Sequence, residues 1–458
     1  MGSELVDTST GDVLWGVPEL FRYTIRRHRR RLRSLALTDE ERAGRIGRVT
    51  PRALLSVCEW LPGLGGIEPY SRLVGRLRRG AVHPAAVLPF PYDWRLSVRH
   101  NGALLAEAAH RHLEAWRAHP AHTDHMIRTG EDRPAGILFV AHSMGGLLIR
   151  ELFHIPGAAD EIRGVITAGT PFQGSVKAVL MMNSGRGAPL PLPADVLREI
   201  THTMPGLYDL LPSYRCLQDG DDMRALTVSD ITALGGDRGL TEDSLGWQRD
   251  RAGTALSKHS MIVGTEQPTA QSFRMDAGRA VAQHHMVIRR HGELRRDEGG
   301  KPVTEDRRGD GTVYRFAAHL LGVREIPVAQ QHGSLPRSSG VLDVAVGALS
   351  GLRHPEELGD VLGDGRYGLD APHWALVGEP FTIRLTGTDD PAAVDCLVEE
   401  TTGSGLTLRP VLRRDRDVPG SLSAHCTVPG PGLYRVEISG GSEPVSQLVL
   451  AGSAADGD

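Results

Sequence analysis

Apolar positions along this chain follow two rhythms. Over roughly the first 340 residues, short unbroken apolar runs alternate with stretches in which apolar residues recur every three or four positions. The runs at 86–91, 137–142, 164–168, 259–264 and 325–328 predict strands. The stretch 97–119 predicts a helix with Leu104, Leu105, Ala108, Leu113 and Trp116 on one face, and 147–153 and 341–352 predict two more. Strands alternating with helices imply a mostly parallel sheet covered on both faces. Between residues 177 and 258 the alternation stops, giving way to short helices, prolines at 189, 191 and 193, and Leu234-Gly-Gly236. This segment reads as an insertion forming a cap, with Val179-Leu-Met-Met182 as candidates for lining a groove.

Past residue 352 the pattern changes. Glycine-rich 358–368 reads as a linker. Beyond it the period is two, as in Phe381, Ile383, Leu385 and in Tyr434, Val436, Ile438, with further short strands at 394–399, 407–412, 422–427 and 447–451. That spacing predicts a small all-β, immunoglobulin-like sandwich. Tyr434 is its candidate corner tyrosine, and Val436 stands where the usual inter-sheet cysteine would be. The predicted division is an α/β domain over 1–355 with its cap at about 177–258, a linker over 356–371 and a β-sandwich over 372–454.

Bulk chemistry narrows the function classes. The 458 residues are 40% hydrophobic and 24% charged, with a formal net charge of −4. Only three of the 52 basic residues are lysine, and the arginines are scattered among acidic neighbours, so nothing calls for nucleic acid. Residues 22–33 are the exception, with seven arginines beside Phe21, Tyr23, Ile25 and Leu32. Such a basic amphipathic segment suits either a solvated helix face or peripheral contact with an anionic lipid surface. No apolar run reaches membrane-span length. The four cysteines (58, 216, 396, 426) are far apart and lack metal-ligand spacing. They read as reduced structural residues of a cytoplasmic chain.

The candidate chemistry lies in Ile137-Leu-Phe-Val-Ala-His-Ser-Met-Gly-Gly146. Ser143 falls between an apolar strand and a helix, with Ala141 two residues before it and Gly145 two after. This is the strained strand-to-helix elbow that lifts a nucleophilic hydroxyl clear of a sheet. The Met144 N–H then faces the place where an oxyanion would form. A serine nucleophile needs a base and an acid to orient it, and in doubly wound hydrolases they follow in the order acid, histidine. Gly309-Asp-Gly-Thr-Val313 offers Asp310 in a tight loop, with Asp222 and Asp306 as weaker candidates. His332 follows the strand at 325–328 directly, whereas His319 reads as a residue of the helical run 316–321. A second oxyanion donor is expected from Leu61-Pro-Gly-Leu-Gly-Gly66, after the apolar run 54–60.

Together these residues resemble the lecithin–cholesterol acyltransferase family, which includes the lysosomal-type phospholipases A2. The most specific element is Pro91-Tyr-Asp-Trp-Arg-Leu-Ser97. The Leu61–Gly66 loop, the elbow, Thr167-Ala-Gly-Thr-Pro-Phe-Gln-Gly-Ser175, Met204-Pro-Gly-Leu-Tyr-Asp-Leu-Leu-Pro212, the Asp310 loop and His332 also match, in order, over about residues 1–340. The resemblance implies an α/β-hydrolase fold with Ser143 as nucleophile, Asp310 as acid, His332 as base, and Leu64 and Met144 as oxyanion donors. It implies structural roles for Asp93 and Arg95. The expected activity is serine hydrolysis or acyl transfer on lipid esters, with no metal or cofactor. The alternative is an interaction protein whose hydrolase domain is dormant and whose β domain binds a partner of unknown identity. In that family a segment similar to Met1–Asp7 and Trp15-Gly16 follows an apolar strand ending in Pro-Gly. Here it opens the chain, as expected if Met1 were an internal methionine.

Overall fold

The structure, a computed structural model, describes residues 2–16, 29–55, 70–130, 132, 134–185, 193–350, 367–401, 405–441 and 443–452. It opens with a small antiparallel sheet of β1 (Ser3–Asp7), β2 (Val13–Trp15) and β3 (Val49–Leu54) in the order β2-β1-β3. Helix α1 (Ser71–Gly80) follows, then α2 (Val98–Arg117), whose N-terminus is capped by the Ser97 hydroxyl accepting from His100 N–H. No strand forms at 86–91. Pro84, Pro89 and Pro91 remove the donors a ladder needs, and the segment is a 3₁₀ turn (Pro84–Ala86) leading into unpaired extended chain. The buried stripe of α2 also departs from expectation. It runs through Val98, Asn101, Gly102, Leu105, Ala109 and Leu113, leaving Leu104 42% exposed, because the helix packs by its small residues.

The main sheet is built from β4 (Ile137–His142), β5 (Ile162–Ala168), β6 (His259–Gly264) and β7 (Glu325–Val328). Its order is β7-β6-β5-β4 and every pair is parallel. Between β4 and β5 runs α3 (Gly145–Leu152), and after β5 comes α4 (Val176–Ser184). Helix α5 (Arg238–Arg251) precedes β6, and α6 (Ser339–Ser350) follows β7. Successive strand residues serve opposite faces. Val165, Met261 and Val263 join a core with α2 and α3, whereas Ile166, Ala168 and Ile262 join another with Leu73 of α1 and Val341, Leu342 and Val344 of α6. Burial on both faces is why these strands read as continuous apolar runs.

The segment expected as a cap shares the first of these cores. Val179, Met181 and Met182 of α4 are buried within it, where the helix Ala194–Thr201 and the strand Arg279–Gln283 pack against α4. It also contains strands, Leu217–Asp219 and Asp222–Arg224, which join Ser272–Asp276 and Arg279–Gln283 in a four-stranded sheet. The described part of the basic N-terminal segment, Arg29–Arg33, is helical and turned toward carboxylates. Arg29 pairs with Asp195, Arg31 with Asp12 at 2.9 Å and Arg33 with Glu199 at 2.8 Å. Residues 22–28 lie outside the described residues, as do residues 351–366; the described end of the linker expected at 356–371 includes a strand, Gly368–Asp370.

A buried ion cluster ties the N-terminal region to the segment before α2. Arg95 is fully buried; its guanidinium donates to Asp93 Oδ2 at 2.7 Å, Glu41 Oε1 at 3.2 Å and the Leu35 carbonyl at 3.2 Å. Burial alone would raise the Glu41 pKa, but the Thr38 N–H, Arg48 and Arg95 outweigh it and hold the carboxyl below its usual range. Replacing Arg95 with methionine would leave the buried Asp93 carboxylate without its guanidinium and Glu41 with Arg48 as its remaining cation. Urea unfolding should show a loss of about 3–5 kcal/mol, the scale for breaking a buried pair; a loss under 1 kcal/mol would contradict the structural role.

The C-terminal strands are β8 (Gly368–Asp370), β9 (Trp374–Leu376), β10 (Pro380–Thr386), β11 (Asp395–Glu400), β12 (Thr407–Leu408), β13 (Arg413–Arg414), β14 (Ser421–Thr427), β15 (Gly432–Ser439) and β16 (Val445–Gly452). They form two sheets, β8-β10-β14-β13 and β9-β16-β15-β11-β12. Ile383 and Leu422 from one, with Val398 and Val436 from the other, share a single core. The Tyr434 hydroxyl donates to the Gly430 carbonyl at 2.9 Å. Cys396 and Cys426 are buried free thiols.

His259, at the start of β6, sets a pH dependence. Its Nε2 pairs with the Thr167 hydroxyl at 2.8 Å, and burial pushes its pKa down to about 4. Between pH 6.5 and 4 the unfolded chain therefore binds more protons than the folded one, so this contribution is complete above pH 6.5 and is lost on acidification. Going from pH 7 to 5 should cost about 2 kcal/mol at this residue. His259→Asn, compared by urea unfolding at both pH values, should show a shallower decline; an equal decline would assign the acid sensitivity elsewhere.

Candidate active site

The turn between β4 and α3 places Ser143 at φ 56°, a left-handed conformation that serine seldom adopts. The Ser143 N–H donates to the Ala168 carbonyl at 3.0 Å, anchoring the turn to the end of β5. Met144 is the N-cap of α3, so its N–H is among the helix-terminal donors that have no intrahelical acceptor. Leu64, expected as a partner donor, lies outside the described residues.

Two loops converge on Ser143. His332 opens a 3₁₀ turn (His332–Arg337) after β7, and its Nε2 lies 2.9 Å from Ser143 Oγ. Its Nδ1 lies 2.7 Å from Asp310 Oδ2. Because a carboxylate only accepts, Nδ1 carries the proton and Nε2 presents its lone pair to the serine hydroxyl. Asp310 is only 1% exposed; its other oxygen, Oδ1, accepts from the N–H groups of Thr312 at 2.9 Å and Val313 at 2.6 Å. The His332 N–H donates to the Asp310 carbonyl at 2.8 Å, so the two loops are joined through backbone as well as side chain. A hydroxyl, an imidazole and a buried carboxylate in this order can pass a proton off the serine and stabilise the resulting imidazolium.

The other candidates lie elsewhere. Asp222 pairs with Arg215 at 2.8 Å and with Arg289, and Asp306 accepts from the Arg308 N–H at 2.9 Å. His319 is not helical. It follows the 3₁₀ turn Arg315–Ala318 in extended conformation, and its Nε2 meets Glu325 at 2.8 Å.

Several residues around the site were given no role from the sequence, although Gly169 and His142 fall inside segments it marked. A Cβ on Gly169, at φ 58°, would stand 2.9 Å from Asp310 Oδ2 and 3.2 Å from His332 Nδ1, so glycine permits β5 to close against the carboxylate–imidazole pair. His142 Nε2 donates to the His332 carbonyl at 2.9 Å, and its Nδ1 accepts from the Tyr70 hydroxyl at 3.0 Å. Burial, then the proximity of His332, hold the His142 pKa well below its usual value. The neutral ring that both hydrogen bonds require is thereby maintained. Lys177 reaches Thr312 Oγ1 at 3.4 Å; burial lowers its pKa, with Asp310 opposing. The one available signal was adjacency, since His142 precedes the serine and Lys177 opens α4.

Comparison with known proteins gives one family and distant structural neighbours. Residues 52–251 match the family described as lecithin:cholesterol acyltransferase. No curated protein matches the chain. Among solved structures, the Bacillus licheniformis lipase BlEst2 in its propeptide form is 14% identical over 77% of this chain and 64% of its own length, with a TM-score of 0.28. Superoxide reductase (neelaredoxin) from Ignicoccus hospitalis is 9% identical over 19% of this chain and 80% of its own, with a TM-score of 0.14. The sulfur carrier SoxY from Chlorobium limicola is 14% identical over 19% and 81%, with a TM-score of 0.13. The matched residues 52–251, which contain the parallel strands β4 and β5 and the Ser143 turn between them, are thus similar to the lecithin:cholesterol acyltransferase family.

Proposed function

We propose that the chain is a serine esterase or acyltransferase acting on lipid esters, phospholipids or related molecules, through an acyl-enzyme on Ser143. The observation that carries this reading is the continuous chain Ser143 Oγ–His332–Asp310, at 2.9 and 2.7 Å, on a strained elbow. His332 Nε2 takes the hydroxyl proton as Ser143 Oγ attacks the ester carbonyl, and Asp310 stabilises the imidazolium. The Met144 N–H receives the oxyanion, and Leu64 is assigned as the second donor on the family resemblance. Each such donor is worth roughly 3 kcal/mol in the transition state. Collapse of the tetrahedral intermediate expels the alcohol, which takes the proton from His332. Water or a second alcohol then attacks the acyl carbonyl while giving its proton to His332, which passes that proton to Ser143 Oγ as the acyl group is released.

Fluorophosphonate treatment of the purified protein, read by intact mass, tests the reading. One adduct per chain, mapped by peptide sequencing to Ser143, is expected. Release of fatty acid from phospholipid vesicles, with and without an acceptor alcohol, then separates hydrolysis from transfer. A chain that takes up no adduct, or takes it up at another serine, contradicts the proposal.

A further inference from the structure

The loops of Asp310 and His332 and the first strand of the C-terminal sheets meet at one buried amide. Gln267, just past β6, is fully buried. Its main chain holds the Asp310 loop: its N–H donates to the Gly309 carbonyl at 2.9 Å and its carbonyl accepts from Gly309 N–H at 3.2 Å. Its side chain holds the other two partners. Oε1 accepts from Gln331 Nε2 at 3.2 Å and from Leu369 N–H at 3.0 Å, and Nε2 donates to the Tyr367 carbonyl at 2.9 Å.

Gln331 adjoins His332. Its two amide hydrogens face three fixed acceptors: Gln267 Oε1, the Leu369 carbonyl at 3.1 Å and Gln447 Oε1 at 3.3 Å. Gln447, on β16, is itself held by Ala371, whose N–H donates to Oε1 at 3.3 Å and whose carbonyl accepts from Nε2. On the same side, Gln330 Nε2 donates to the Pro444 carbonyl at 3.0 Å and Arg337 Nη2 to Ser446 Oγ at 2.8 Å. The Asp310 loop is shaped for this junction: a Cβ on Gly311, at φ 84°, would come within 2.5 Å of Gln331 Oε1.

We infer that Gln267, Gln331 and Gln447 are positioning residues through which the C-terminal sheets hold His332 against Ser143, making those sheets part of the same chain's active-site scaffold. The inference rests on the serine-hydrolase reading of Ser143 given above. Its physical basis is rigidity. A carboxamide donates and accepts at once, so linked amides fix each other's orientation, and the residue before His332 is bound from three directions. A misplacement of about 1 Å at such a base can cost about 100-fold in rate.

The test uses the full chain with Gln447→Leu, Gln331→Leu and Gln447→Glu, the last retaining the acceptor that faces Gln331. Two readouts are taken: steady-state hydrolysis of a p-nitrophenyl ester, and the low-field proton NMR resonance of the His332 Nδ1–H bonded to Asp310. Both leucine variants should lose about 10- to 100-fold in kcat with KM within about two-fold. Their low-field resonance should broaden or vanish while the melting temperature moves little, and Gln447→Glu should recover part of the rate, since it keeps the acceptor for Gln331 but cannot donate to the Ala371 carbonyl. Unchanged kcat and an unchanged resonance in both leucine variants would overturn the inference. So would a rate loss that merely tracks the unfolded fraction. If the wild-type chain shows the resonance but turns over no ester, the hydrolase reading fails, and the resonance in the leucine variants still decides the positioning role.

Discussion

Ser143→Ala should abolish ester turnover, with kcat falling by roughly 10⁶-fold, the loss typical when the nucleophile of a serine triad is removed. The folded state should be almost indifferent. Alanine keeps the Cβ and the same backbone penalty at φ 56°, and what disappears is a single hydroxyl facing His332. The informative companion is Ser143→Gly. Glycine adopts a left-handed conformation without that penalty, so this variant should be equally inactive yet more stable by about 1 kcal/mol. Thermal melts beside initial rates check both halves. Residual activity above about 1% in Ser143→Ala would move the nucleophile elsewhere.

Asp310→Asn is expected to cost about 10⁴-fold in kcat with little change in fold. The structure gives the reason atom by atom. Oδ1 accepts two backbone N–H groups, from Thr312 and Val313, so an asparagine must turn its carbonyl oxygen that way. Its NH₂ then faces His332 Nδ1, where a carboxylate oxygen stood at 2.7 Å. Two donors cannot share that bond, so the imidazole moves its proton to Nε2 and presents an N–H to Ser143 in place of a lone pair. The base is present but in the wrong tautomer. Histidine NMR shifts should report the switch directly. A variant with near wild-type kcat would exclude Asp310 as the orienting group.

The local part of this arrangement was legible in the chain. A strand, a serine between small residues and a helix form a contiguous pattern, and β4, Ser143 and α3 fall where it predicts them. Strands β6 and β7 coincide with the runs predicted for them, the apolar Met261, Ile262 and Val263 of β6 being buried on both faces of the sheet. Asp310 and His332 could be selected only by order, since glycine–aspartate turns are common and the chain has 20 histidines. What failed, failed for stated physical reasons. Prolines turned an apolar run at 86–91 into unpaired chain, and small residues rotated the buried face of α2. Polar edge strands such as Ser272–Asp276 and Arg279–Gln283 carry little apolar signal. The amide junction was invisible because glutamines have no diagnostic spacing, and the contact of Gln331 with Gln447 spans 116 positions.

That separation has a consequence for how the chain becomes active. Ser143 and His332 are 189 residues apart, and the strand bearing Gln447 is the last among the described residues. During synthesis Ser143, Asp310 and His332 all emerge before the strand proposed to steady His332. Contacts this remote in sequence are slow to form, because loop closure must precede any gain from them. On the proposed reading, reactivity toward an ester is therefore reached only after the β15–β16 hairpin has docked. A chain that stops short of β16 is then expected to carry Ser143, Asp310 and His332 without the Gln331–Gln447 contact that the proposal assigns to steadying His332.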